Sequence, residues 1–207
     1  KEFLLHSGQS IVLENKELPE GMQRFIKESK YSFTYPDAVR GIYVTGNSAG
    51  GSKYKELAKL VDTTDLNAMV IDIKDDFGKL TYKPDASKPY AEAGTNLIKD
   101  PDKLLKDMEK REIYPIARVT VFKDSYLANK KPEWSFLDGK EVWKNGRGES
   151  FVNPFVKDVW EYNVEIAKEA AEMGFQEIQF DYVRFPEGFE NRDKELKYSV
   201  GNYGDKA

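Results

Sequence analysis

EIQFDYVRFPEG, Glu177 to Gly188, decides the fold, because a strand-like run here ends on a carboxylate, an arginine and a proline. Alternation with period two sends Ile178 and Phe180 to one face and Gln179 and Asp181 to the other. A central strand of a parallel sheet reads apolar on both faces, so polar side chains at its carboxyl end need a reason. In barrels and open α/β sheets alike, ligands bind at that end, where the βα loops converge.

Three more segments upstream read as strands: GIYVTG (41–46), AMVIDIKD (68–75) and YPIARVTVF (114–122), with the fourth running over 177–185. Helical patterns separate them. The first spans about 53–61, with Tyr54, Leu57, Ala58 and Val61 at helical spacing. The second has Asp100 as N-cap and Pro101 at the first helical position, and presents Leu104, Leu105 and Met108 to a core. The third opens at Asn153-Pro154, places Val156, Val159, Trp160, Val164 and Ala167 on one face, and stops at Gly174. Strands alternating with helices in this order predict an α/β fold, a parallel sheet with right-handed crossovers.

The connections are lopsided. Helices return to the next strand quickly, whereas 75–99 and 123–152 are long stretches that follow strands and should project from the carboxyl face as functional loops. The second holds Trp134, Phe136 and Trp143, and should be mobile without ligand. Residues 1–38 read as an amino-terminal extension with a short helix around 21–30, and 39–207 as the sheet-bearing domain. Four βα units are half of an eight-stranded barrel, which typically needs about 250 residues. The pattern fits either a small open sheet or the first half of a barrel.

Composition narrows the chemistry. With 40% hydrophobic and 33% charged residues, the 207-residue chain can bury a core and is not composed like a disordered segment. A net charge of -4, from 32 basic and 36 acidic residues spread along the length, gives no footprint for nucleic acid. No apolar run approaches the roughly 20 residues of a membrane span. There is no cysteine, and the one histidine, His6, lies near the amino terminus, so a zinc site of the usual type cannot be built and a Ser-His-Asp triad would have to recruit that one residue, which reads as a surface histidine. No metal and no cofactor is expected; carboxylates, Lys, Tyr or Arg must carry any reaction.

Alternation applied to all four strands gathers Tyr43, Thr45, Asp72, Lys74, Arg118, Thr120, Gln179 and Asp181 on one face. The opposite face takes Ile42, Val44, Val70, Ile71 or Ile73, Ala117, Val119, Val121, Ile178 and Phe180, suited to packing on helices. Acid and base groups from three strands then share one space, where burial is costly unless they are paired. One reading is an ion-pair network, with Arg118 neutralising Asp72 and Asp181 as filling. The other is glycosidic bond cleavage, in which a carboxylate stabilises an oxocarbenium-like transition state or attacks it, and a protonated carboxyl group protonates the leaving oxygen. Asp181, beside Arg118 and Arg184, suits the first role; no residue announces itself as the acid. Asp75 and Asp76 read as a polar turn rather than a Ca²⁺ or Mg²⁺ site, since the EF-hand spacing is missing. TGNSAGGS (45–52) reads as a flexible βα loop; it lacks the P-loop ending, although a phosphate-binding, flavodoxin-like sheet is a third reading.

The blocks RGIYVTGNSAGGSKYKEL, NAMVIDIKDDFGKLTY, YPIARVTVFKD and FVNPFVKDVWEYNVEIAKEAAEMGFQEIQFDYVRFPEG resemble the bacterial putative glycosyl hydrolase domain family, over about residues 38–190. The resemblance implies a partial (β/α)8 TIM barrel in a secreted or envelope-attached protein, acting on a cell-wall or extracellular polysaccharide. It places Asp181 where retaining α-glycosidases of this fold hold their nucleophile, at the end of strand four, and matches Asp72 and Arg118 to the VID and ARV blocks. Substrate contacts are then expected from Asp72, Lys74, Arg118 and Arg184, with Trp134 and Trp143 lining outer subsites. The acid-base carboxylate of such barrels comes from strands beyond the fourth, so self-association or pairing with a second half-barrel is expected. The rival is a non-catalytic carbohydrate-binding or envelope scaffold protein.

Overall fold

Four strands, β1 (Gly41–Val44), β2 (Ala68–Lys74), β3 (Tyr114–Thr120) and β6 (Glu177–Asp181), form one parallel sheet in the order β1-β2-β3-β6. The computed structural model from which this is read describes residues 30–201. Helices α2 (Lys53–Asp62), α3 (Pro101–Lys110) and α5 (Lys157–Met173) make the crossovers. The loops add short α1 (Gly46–Gly50) and α4 (Ser125–Lys130), and a two-stranded hairpin of β4 (Leu137–Asp138) and β5 (Glu141–Val142). Sequential parallel strands with one helix per connection are the repeating unit of a (β/α)8 barrel, and the described residues hold four such strands. The compact unit that carries the sheet begins at Tyr31. His6 and nearly all of the helix expected around 21–30 lie outside the described residues.

Local chemistry sets the helix ends. The Asp100 carboxylate accepts from the Lys103 amide at 2.8 Å and Pro101 takes the first helical position, so α3 starts where its orphan donors are capped. Its Leu104, Leu105 and Met108 are buried against the sheet. Gly174 closes α5 in the left-handed region at φ 119, and a Cβ there would meet the Tyr31 ring at 2.3 Å. Tyr31 thus packs at the end of α5, and its hydroxyl donates to Asp102 of α3 at 2.8 Å.

α5 departs from the expected pattern at both its start and its face. It begins at Lys157, because the Asn153 side chain first closes a turn by accepting from the Phe155 amide at 3.0 Å. Its buried stripe is Val159, Asn163, Ile166, Ala167 and Ala170, whereas Trp160 and Val164 are exposed. A polar residue sits mid-stripe because Asn163 answers a buried cation described below. The strands are also shorter than predicted. Thr45 ends β1 by capping α1, accepting from the Ser48 amide, so 45–52 is a helical turn and not a loose loop. β6 stops at Asp181 because Tyr182 turns into the left-handed region at φ 52.

The two faces of the sheet differ in kind. Val44, Met69, Ile71, Ile73, Ala117 and Val119 pack with the helices in the main core. On the other face, Ala68, Val70, Tyr114 and Ile116 form a smaller apolar layer at the amino ends of the strands. Val70 therefore lies on the lumen side, opposite to its expected face, and Phe180 is exposed on the β6 edge.

Candidate active site

Toward the carboxyl ends of the same lumen face the side chains change from apolar to charged. Arg118 of β3 stands in register with Asp72 of β2 and Gln179 of β6, and Thr120 with Asp181. Its guanidinium donates from Nη1 to Asp72 Oδ1 at 2.7 Å, from Nε to Asp181 Oδ2 at 2.8 Å, and from Nη2 to Asp76 Oδ1 at 2.7 Å. A planar fork with five donors suits such a task. The Tyr43 hydroxyl donates to the remaining Asp72 oxygen. Lys123 extends the network, reaching Asp76 Oδ2 at 3.2 Å and Glu149 Oε1 at 3.0 Å.

The charges are sorted by depth. Arg118 and Asp72 side chains are 8% and 5% exposed, while Asp76 and Asp181 are 35% and 47% exposed. Burial opposes the Arg118 charge, yet its hydrogen bonds to Asp76, Asp72 and Asp181 hold its pKa above the ordinary range. Burial pushes Asp72 up against the hydrogen bonds of Tyr43 and Arg118. Since both of those partners donate to it, the carboxylate is the form this site accommodates at neutral pH. Burial also works against Asp76, but Arg118 and Lys123 outweigh it and hold its carboxyl below the usual range. Glu149 is lowered by the Asn145 amide first and by Lys123 next.

These depressed values predict an acid dependence. A carboxyl group with a lowered folded pKa contributes stability above its unfolded value, about 4, and loses it as pH falls through the folded value. Thermal melts taken from neutral pH down past about pH 4 should therefore fall more steeply for the wild type than for an Asp76→Asn/Glu149→Gln variant. Parallel curves would remove this pair from the acid response.

Of the residues expected at the site, Asp72, Arg118 and Asp181 converge. Lys74 does not. Asp72 pairs with Arg118 but Lys74 with Val119, so β2 carries an extra residue there, a bulge that turns Lys74 to the helix side. It is fully buried, pairing with Asp124 Oδ2 at 2.6 Å and donating to the Thr120 carbonyl at 2.8 Å and Asn163 Oδ1 at 2.9 Å. Trp143 is likewise no open platform: it is 7% exposed, in an apolar cluster with Phe136, Phe151 and Leu196. Trp134 is half-buried beside Lys131 and borders a separate pocket of about 430 Å³ with Tyr126 and Tyr162. Arg184 pairs with Glu187 at 3.2 Å and lies over the Tyr182 ring, without contact to Asp181.

The sequence presents Asp76 only as part of a polar turn, and nothing in it singles out Lys123 or Glu149, yet the structure brings all three to the site. The adjacent aspartates divide the work: Asp75 closes its own turn, accepting from the Phe77 and Lys79 amides at 2.9 Å, which leaves Asp76 aimed at Arg118. Two acids directly after a strand that already carries Asp72 were the available signal. Glu149 had none, since its approach depends on the fold of the 139–150 loop. Among the described residues no group of three or more His, Cys, Asp or Glu is placed to hold a metal ion, and no helix is long and apolar enough to cross a membrane.

Comparison with known proteins agrees with this architecture. A crystal structure of a hypothetical protein from Ruminiclostridium thermocellum ATCC 27405 matches with a TM-score of 0.68 at 36% identity, over 78% of this chain and 83% of that one. The maltogenic α-amylase AmyB of Thermotoga neapolitana matches with a TM-score of 0.50 at 15% identity, over 75% of this chain and 43% of the enzyme. The dextranase FjDex31A of Flavobacterium johnsoniae, also at a TM-score of 0.50, is 12% identical over 79% of this chain and 21% of the enzyme. These two show the shared barrel fold, and the chain spans less than half of either. None of the curated proteins matches. A family model described as a putative glycosyl hydrolase domain matches residues 41–207, and the chain belongs to that family.

Proposed function

We propose that this domain is a glycoside hydrolase acting on a cell-wall or extracellular polysaccharide, with Asp181 as nucleophile or stabilising carboxylate. The observation that carries it is the position of Asp181. It ends β6 on the lumen face, is the most exposed of the three carboxylates on Arg118, and has both oxygens oriented from behind, Oδ2 by the guanidinium and Oδ1 by the Tyr182 amide at 2.7 Å. A carboxylate fixed in this way and open on one side meets positive charge developing at an anomeric carbon without reorganising. Arg118 and Asp72 act as orienting groups.

Cleavage also needs a proton donor to the leaving oxygen. Asp72 is too deep to reach a substrate, and the lowered pKa of Asp76 disqualifies it as an acid near neutrality. The donor in this reading comes from the side of the barrel that the four strands leave open. Reducing-end release from a panel of polysaccharides tests this on two proteins, the 207-residue chain and the same chain within an eight-stranded barrel. The complete barrel should hydrolyse its substrate, and the chain alone should bind oligosaccharide but turn over about 10²- to 10⁴-fold more slowly, the usual contribution of general acid-base catalysis. A complete barrel that binds saccharides without cleaving them would favour the scaffold reading; absence of binding by both would end both readings.

A further inference from the structure

The depth sorting of charge in the cleft bears on which saccharide it takes. The cations of the floor are covered, Arg118 at 8% and Lys123 at 9% side-chain exposure. The groups that an incoming ligand meets are the oxygens of Asp76, Asp181 and, at 17% exposure, Glu149. With Asp72, four carboxylates surround two cations, so the floor is anionic in excess and its positive charge is already committed. The exposed cations of the rim, Arg147 and Arg184, are both paired with Glu187, at 3.6 and 3.2 Å, and Arg147 also with Glu149.

We propose that the cleft selects a glycan bearing a free amine, a deacetylated hexosamine unit, over neutral and uronic acid chains. This rests on the cleft being the glycan site argued above. Each carboxylate offers about four acceptor positions, and the contacts to Arg118, Thr120, Lys123 and the Tyr182 amide leave some of those on Asp76 and Asp181 unused. An ammonium group, with three donors and a full charge, uses them better than a hydroxyl, and its bonds to carboxylates are roughly twice as strong as neutral ones. A uronic carboxylate would instead face Asp76 and Asp181 without a free cation on the cleft floor to receive it.

The test is calorimetric binding of the 207-residue chain, at low salt, to three series of equal length: glucosamine oligomers with free amines, their N-acetylated counterparts, and oligogalacturonides. The free-amine series should bind about tenfold or more tightly than either other series, and the margin should shrink with added salt. Asp76→Asn and Asp181→Asn, each checked for unchanged melting, should each erase most of that margin. Glu161→Gln, an exposed site on α5, should leave it intact. Equal or tighter binding of the galacturonides, or an equal loss in Glu161→Gln, which would assign the preference to the overall charge of -4, overturns the inference. Binding confined to the N-acetylated series overturns it while leaving the glycoside hydrolase reading in place, and absence of binding by all three overturns both.

Discussion

Lys74→Met should cost the chain about 3–5 kcal/mol, the expected penalty for removing one partner of a buried ion pair. Methionine nearly preserves the volume, so packing is not what is lost. The substitution leaves the Asp124 carboxylate, itself fully buried, facing no counter-charge, and strips the Thr120 carbonyl and Asn163 of their donor. Asp124 has other duties: Oδ1 caps α4 by accepting from the Leu127 amide at 2.6 Å, and the turn at Gly78, with φ 84, passes so close that a Cβ would lie 1.8 Å from Oδ1. One ammonium therefore ties the end of β2, the turn after it, α4 and α5. The double variant Lys74→Met/Asp124→Asn should recover much of the loss, since the asparagine keeps the cap without the charge. Urea unfolding of the three proteins measures this, and a single-variant cost under about 1 kcal/mol, or a double variant no better than the single, would show that the pair is not what holds these elements.

Asp181→Asn in an eight-stranded protein containing this domain should lower kcat by at least about 10²- to 10³-fold with little change in melting temperature or in affinity for N-acetylated oligosaccharides. The amide is nearly isosteric, its single oxygen can keep the bond from Arg118, and Asp72 and Asp76 still hold the guanidinium, so the fold of the cleft survives. On an uncharged glycan, what disappears is the negative charge needed only as the sugar becomes cationic, which is why the loss there belongs in kcat rather than KM. Arg118→Lys is the useful companion, because it keeps a charge but not the fork that holds three carboxylates at once. Wild-type turnover in the Asp181→Asn protein on its own substrate would move the chemistry elsewhere.

The residues that sequence could place are those governed by regular repeats. Alternation on three strands in ordinary parallel register was enough to bring Asp72, Arg118 and Asp181 together, and Asp100-Pro101 and Gly174 marked helix ends through capping chemistry that is local. The failures are all departures from a repeat. Lys74 was misplaced by one bulged residue, because a single insertion reverses the face of everything beyond it. Asn163 was overlooked on α5 because it is polar on a stripe where only apolar residues were sought, and its reason, Lys74, lies 89 residues away. Trp143 looked like a sugar platform because polar residues surround it in sequence, yet Phe136, Phe151 and Leu196 surround it in space. Glu149 and Asp76 depend on how two long loops fold, which neither period nor spacing encodes.

Within the described residues, β1 and β6 each hydrogen-bond to a strand on one side only, and the strands all run in one direction. In a (β/α)8 barrel any strand that joins either margin must run the same way, so its own carboxyl end, and the loop that follows, arrive at the rim where Asp181 already sits. Closure of the wall and completion of the cleft are then one event. Were a separate half-barrel to supply those strands, a saccharide touching both halves would strengthen their union by the factor by which union strengthened its own binding, so assembly and ligand occupancy would report on each other.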